Sequence, residues 1–407
     1  MITRAFLPRK IAAGLALCLV ALVLLGVTIE TGLAVVQINT RSNLRFIPQL
    51  GTTYIPNAFY RHTKEGYSEG YFNSHGFRDY ERTYGKPAGT FRILVFGDSY
   101  VEALQVPLAD SFSAILERKL NEHARSESFE VLALGQSGFG TADAYMRYLN
   151  FGAKYDPDLV VLAFTTINDF HDNSRYLNQD NISFYFKFDL NKNLVLDRSL
   201  FEEYEHNLTL TKRVFQALAR HSYFVSLVSE RAFLLREQLR HMNFEGRTSG
   251  SDVRTNTIQP DEFSDLNIYR PEMSSRWQEA VAITKGIIHE FKASVEGDGG
   301  RFLLVTLSNA EQVHPHKAKE LTDKYGDLFD FDQPDRILDE LSQQEGIMML
   351  KLMPIFRDYH HKTGVFLHGF GSSQGGHWNH EGHRLAAEEL FAFLHNNDLV
   401  PLSKSER

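Results

Sequence analysis

Cysteine is nearly absent from these 407 residues: Cys18 stands alone. One thiol excludes an internal disulfide framework, a zinc ribbon and a CxxC redox pair. Proline and glycine, at 12 and 28, are not in excess, and no segment repeats or falls to low complexity. Collagen-like, coiled-coil and disordered classes are therefore set aside. Nor is there a surplus of positive charge. With 43 Lys and Arg against 51 Asp and Glu the formal charge is −8, which argues against a nucleic-acid binder, since such chains carry a basic face. What remains, 43% apolar and 23% charged, is ordinary globular composition in a chain long enough for a large core.

One apolar run stands out. Ile11–Ile29 is free of charge and as a helix would span about 28 Å, close to the hydrocarbon thickness of a bilayer. Arg4, Arg9 and Lys10 precede it, so the N-terminus is expected to stay cytoplasmic and the rest to lie outside, on the periplasmic side. Gly32-Leu33-Ala34 would suit signal-peptide cleavage, but the run exceeds the usual apolar core of about 7–15 residues, which favours an uncleaved signal-anchor. Cys18 sits mid-run behind Leu17, a poor setting for lipoprotein processing. It belongs to the anchor, so the exported part carries no thiol, as suits an oxidising compartment.

Residues 37–90 hold little periodicity but much aromatic and turn chemistry, as in Asn73-Ser74-His75-Gly76-Phe77-Arg78, and read as an extended lead-in. From Phe91 strands alternate with helices. Arg92–Phe96, Phe129–Leu134 and Leu159–Phe164 are short apolar runs of the kind buried on both faces of a sheet. Asp110 or Ser111 would cap the first helix and Thr141 the second. An insertion over about 171–270 follows the third strand. It holds a hairpin (Phe184–Phe188 with Leu194–Leu196), a helix over Leu210–His241 and a surface loop over Glu245–Glu262. A helix over Trp277–Phe291, strands Arg301–Leu307 and Ile347–Leu352, and a helix near Glu381–Leu394 complete one α/β domain, 91–397, before a tail at 398–407. The pattern predicts a five-stranded parallel sheet with helices on both faces.

In such sheets ligands bind beyond the carboxyl ends of the strands. There stand Gly97-Asp98-Ser99, then Ser137-Gly138-Phe139-Gly140-Thr141, then Asn168-Asp169, and before the last helix His377-Trp378-Asn379. These are the parts of an acyl-transfer site. Ser99 would be the nucleophile and His377 its base. The oxyanion would be held by the Ser99 and Gly138 amides and the Asn168 side-chain NH₂, each such donor being worth roughly 3 kcal/mol. Taken singly, each piece has a plain structural reading as a capped turn, an Asx-turn or a structural histidine; their joint placement at strand ends points to catalysis.

These four blocks resemble those of the SGNH/GDSL hydrolase family over residues 91–170 and 300–395, and Asn73–Arg78 resembles the lead-in of its exported, membrane-anchored members. The resemblance implies a flavodoxin-like three-layer α/β/α sandwich and ester hydrolysis with no metal or organic cofactor. It also implies the same roles for Ser99, Gly138, Asn168 and His377. One position departs: the family commonly places Asp three residues before the histidine, and here stands Gln374. Gln374 can orient the ring but brings no charge. The site is then a Ser–His dyad, or a carboxylate from elsewhere, such as Asp358, reaches in, or turnover is slow.

Competing assignments stay open on the sequence alone. Ser137, in a near match to the G-x-S-x-G elbow, is a rival nucleophile. His380 and His383 lie close enough to share a metal, and His383 rivals His377 as base, though no HExxH or carboxylate cluster supports a metal. The same residues would serve an O-acyltransferase acting on an extracellular polysaccharide, and an inactive fold would serve as a binding module. Expected substrates are esters of small molecules, lipids or polysaccharides. The insertion aromatics Phe184, Tyr185, Phe186, Phe201 and Tyr204 would line such a site or form a satellite core, the second being favoured.

Overall fold

The computed structural model describes residues 9–36, 43–47, 49–178, 182–206, 209–229, 231–232, 235, 259–371 and 375–402. Gln374, most of the expected loop at 245–262, the end of the tail and the side chain of Tyr204 lie outside the described residues. Two compact units result: Met1–Asn43 with His206–Arg254, and Leu44–Glu205 with Thr255–Arg407.

The larger unit begins with two antiparallel pairs: β1 (Leu44–Ile47) with β2 (Gly51–Tyr54), and β3 (Phe59–His62) with β4 (Ser68–Tyr71). The stretch that reads as a plain lead-in is therefore folded. Its short strands lack a long alternating pattern, which hides them from sequence. The main sheet uses β5 (Thr90–Phe96), β6 (Ser128–Ala133), β7 (Leu159–Thr165), β10 (Arg301–Leu307) and β11 (Met348–Lys351), with β8 (Tyr185–Phe188) and β9 (Leu194–Asp197) forming the insertion hairpin. All four pairings in the main sheet are parallel, in spatial order β11-β10-β7-β5-β6. Counted along the chain this is 2-1-3-4-5, the flavodoxin-like order, whose direction of winding reverses between β5 and β7.

Side chains on these strands alternate between two cores. Leu94, Phe96, Leu132, Val160, Leu162 and Leu304 face one layer, where Trp277, Ile287 and Phe291 of the helix Ser275–Gly297 pack. Ile93, Val95, Val131, Val161, Leu303 and Val305 face the other, against helices Phe112–His123, Leu352–Thr363 and His380–Asn396. The fold is a three-layer α/β/α sandwich. Of the two expected helix caps, one holds and one shifts by a residue. Ser111 caps the helix that begins at Phe112, accepting from the Ala114 N–H, while Gly140 and not Thr141 occupies the cap before Thr141–Asn150. Phe184, Phe186 and Phe201 are buried in the first of these cores, and Tyr185 is buried as well.

The smaller unit contains α1 (Arg9–Val36), whose stretch Ile11–Val36 is long and apolar enough to cross a membrane. It also holds the helix Leu210–His221, which stops at Ser222 instead of running on to His241. Helical structure resumes at 223–229.

Candidate active site

Ser99 owes its place to two close approaches. A Cβ on Gly97 would lie 2.7 Å from the Ala163 carbonyl oxygen, and one on Gly135 would lie 2.5 Å from Val101 Cβ. Only glycine lets the turns after β5 and β6 close around Val101. Asp98 caps the short helix α2 (Ser99–Glu102) by accepting from the Tyr100 N–H at 2.9 Å. Ser99 is the first residue of α2, so its own amide has no partner within the helix. At the other end of α2, the Glu102 carboxylate accepts from both the amide and the hydroxyl of Ser137. The same turn carries Gly138 at φ +80, and no partner for the Gly138 amide is found among the described residues. The Ser137 hydroxyl thus faces a carboxylate, and no histidine is hydrogen-bonded to it among the described residues.

His377 Nε2 lies 2.8 Å from Ser99 Oγ. Its other ring nitrogen, Nδ1, lies 2.6 Å from Glu65 Oε2, and Glu65 Oε1 accepts from the His377 amide at 2.6 Å. The contact to a carboxylate places the ring proton on Nδ1 and leaves the Nε2 lone pair for the Ser99 hydroxyl. Burial opposes ionisation of Glu65, but the ring N–H, charge and backbone N–H of His377 outweigh it and hold the carboxyl below its ordinary value. The loop is pinned behind the ring: the Gly369 N–H donates to the His377 carbonyl, and the Trp378 indole N–H donates to the Ser308 carbonyl.

Glu65 places a carboxylate where the sequence left the partner of His377 open, and it comes from the turn between β3 and β4. A Cβ on its neighbour Gly66 (φ +69) would sit 2.1 Å from the Gln105 carbonyl oxygen, so glycine there seats the hairpin against the chain that follows α2. Buried Arg78 fastens it again, donating to the carbonyls of Glu102 and Ala103 at 2.8 Å and to the Tyr60 hydroxyl at 2.9 Å. Arg78 is delivered by a tight loop in which Asn73 Oδ1 accepts from the His75 and Phe77 amides. Asp358, the suggested donor of the missing charge, instead pairs with Lys362.

Asn168 follows β7 and stands beside Asp98 at the reversal of the sheet. Its Nδ2 donates to Asp98 Oδ2 at 3.2 Å and to Asp172 Oδ2 at 2.9 Å, while its buried Oδ1 has no partner among the described residues. Burial raises the pKa of Asp98, and that of Asp169 rises well above the ordinary value for the same reason. The other histidines fall elsewhere. His383 is buried against Phe112, and His380 pairs with Asp110. Among the described residues no group of three or more His, Cys, Asp or Glu side chains could hold a metal.

No family model and no curated protein matches this chain. Among solved structures it is similar to an acetyl xylan esterase, AlAXEase, with TM-score 0.40 and 12% identity over 74% of this chain and 98% of that one. It is also similar to TesA, with TM-score 0.37 and 13% identity over 74% and 97%. A lipase/acylhydrolase from Enterococcus faecalis gives TM-score 0.39 and 11% identity over 77% and 100%. At these values the likenesses carry nothing about reaction or substrate, and the chemistry has to be read from the side chains.

Proposed function

We propose that this chain is a serine esterase of the SGNH/GDSL type that cleaves acyl or acetyl esters outside the cytoplasm. The observation that carries the reading is the continuous relay from Glu65 through His377 to Ser99, with spacings of 2.6 and 2.8 Å. As Ser99 Oγ attacks the ester carbonyl, His377 Nε2 takes the hydroxyl proton, and the Glu65 carboxylate stabilises the imidazolium that forms. The oxyanion is met by the Ser99 and Gly138 amides and an N–H of Asn168. His377 then returns the proton to the departing alkoxide, which leaves as the alcohol. Water, deprotonated by the same nitrogen, attacks the Ser99 acyl ester, and His377 passes that proton to the departing Ser99 Oγ as the acid is released.

The chain's location follows from α1, whose basic flank Arg9-Lys10 favours a cytoplasmic N-terminus. Protease added to spheroplasts is expected to degrade the C-terminal part, and protection would refute this orientation. The purified chain is expected to release p-nitrophenol from the acetate and butyrate esters. Ser99→Ala should abolish release and Ser137→Ala should leave it within about twofold. Ser99-independent release would overturn the assignment. Release only with an added sugar acceptor would instead favour acyl transfer.

A further inference from the structure

On the helix Leu210–His221, the side chains of Leu210, Val214, Phe215 and Leu218 fall within an arc of about 140° at 100° per residue. Lys212, Arg213, Gln216 and Arg220 occupy the rest of the circumference. The four apolar side chains are between 48% and 77% exposed, and Ala219 alone on this helix is buried. A surface helix of a water-soluble fold buries such an arc. Phe224 and Val228, four apart in the next helical segment, are likewise exposed. From Leu210 to Ser229 there are three Lys or Arg and no Asp or Glu.

The junction between the two segments is tied to α1. The first of them ends at Ser222, and Glu30 fills the gap: Oε1 accepts from the Tyr223 amide at 2.6 Å, and Oε2 from the Ser222 hydroxyl at 2.9 Å and the Phe224 amide at 3.2 Å. Glu30 is the first charge after the uncharged run Ile11–Ile29, about 28 Å along the helix from Ile11. If α1 crosses a bilayer, this carboxylate stands at the boundary between hydrocarbon and headgroups, and Ser222 with it.

From the apolar arc, the one-signed charge and this tether, we infer that the helix Leu210–His221 lies in the plane of the membrane that α1 spans. Leu210, Val214, Phe215 and Leu218 enter the acyl boundary, and Lys212, Arg213 and Arg220 meet anionic headgroups. Helices with a wide apolar arc and a basic polar face bind lipid surfaces in this way, through buried apolar area and attraction to anionic lipid. The inference rests on the proposed retention of α1 as a membrane segment. Its content goes further, because it gives the insertion a lipid-binding role.

Cys18 is the only thiol, so Cys18→Ser gives a background in which one introduced cysteine is the sole labelling site. The full chain, reconstituted in phosphatidylcholine–phosphatidylglycerol vesicles, is labelled with a polarity-sensitive fluorophore at Val214→Cys, Leu218→Cys, Lys212→Cys or Gln216→Cys. Lipid carrying a doxyl group near the headgroup should quench the labels at 214 and 218 several-fold more than those at 212 and 216, and aqueous iodide should show the reverse order. Equal iodide quenching at all four sites overturns the proposal. Protection of 214 and 218 from iodide without doxyl quenching also overturns it and points to a protein partner. Carbonate extraction reads α1 separately: release of the chain would refute anchoring itself, whereas retention with unselective quenching refutes only the role of the helix Leu210–His221.

Discussion

The carboxyl edge of the main sheet and the β3–β4 hairpin turn meet at His377, yet they hold their functional groups by different means. At the sheet edge, Ser99, Gly138 and Asn168 follow directly from strands β5, β6 and β7, so the sheet positions them at the point where its winding reverses. The hairpin has no such frame. It is two strands of four residues, and Glu65 reaches His377 because Gly66 and Arg78 fasten the turn to the chain after α2. The proposed catalytic centre thus joins a part whose geometry the fold supplies to a part that a few specific contacts must supply.

The strongest way to break this comparison is to remove the charge while keeping the shape. Glu65→Gln is expected to lower kcat on p-nitrophenyl acetate by about 10³–10⁴-fold, because an amide can present its NH₂ to the ring and favour the wrong tautomer. A loss under about threefold would make the hairpin a bystander and leave a dyad. The sign of the pH dependence follows from the depressed pKa of Glu65. A carboxyl held below its unfolded value contributes above that value, about 4.3, and is lost as pH falls through the lower folded value. The rate gap between parent and variant should therefore persist through the ordinary carboxylate range and close only as pH falls through that lower value.

On the sheet side, Asn168→Ala is expected to cost about 10²–10³-fold in kcat with little change in KM, as for one oxyanion donor removed. In the resting geometry both carboxylates beside it, Asp98 and Asp172, accept from its NH₂. One of these N–H groups must turn or be shared as the oxyanion forms. A change in KM alone would indicate that Asn168 binds substrate and does not stabilise the transition state.

A smaller effect tests how the hairpin is seated. Gly66→Ala places a Cβ against the Gln105 carbonyl and strains a positive φ, and a displacement of about 1 Å at Glu65 should cost on the order of 10²-fold in kcat. Gly299→Ala is the control: φ is also positive, at +89, but nothing lies within 4 Å of the added atom. It should cost about 1–2 kcal/mol of stability and leave kcat unchanged. Equal losses of activity in both variants would mean that backbone strain, and not the seating of Glu65, is being measured.

The same contrast explains what the sequence disclosed. Strand runs such as Arg92–Phe96 and Leu159–Phe164 are legible because burial on both faces demands near-continuous apolar residues. The turns after them are legible because parallel sheets put ligands there. Glu65 was not legible: its partner is 312 residues away, and nothing local marks a carboxylate at the tip of a short hairpin as catalytic. The only signal was negative, the absence of Asp at 374. The break at Ser222 was hidden for a related reason, since the side chain that satisfies the freed amides is Glu30, far away in the chain. The motif Asn73–Arg78 was visible as a pattern, but its purpose, delivering Arg78 to the end of α2, needed the tertiary contacts.

The smallest expected effect separates two histidines six residues apart. His377 faces Glu65, whereas His383 is buried against Phe112 with no carboxylate in hydrogen-bonding contact among the described residues. Burial lowers its pKa to about 3, helped by the positive charges of Arg78, His377 and His380. A base whose folded pKa lies below its unfolded value of about 6.5 contributes fully above 6.5. That contribution shrinks as pH falls toward 3, by up to about 1.4 kcal/mol per pH unit, because only the unfolded chain takes the proton. His314 and His368, lowered by burial to about 3 and about 4, act with the same sign. His383→Gln removes one of these titrations, so the Tm deficit of the variant at pH 7 should narrow steadily by pH 4.5. A deficit constant across that range would show that His383 is protonated in the folded state. The buried position would then contain a charge, and the distinction between a histidine held for catalysis and one held for packing would have to be drawn on geometry alone.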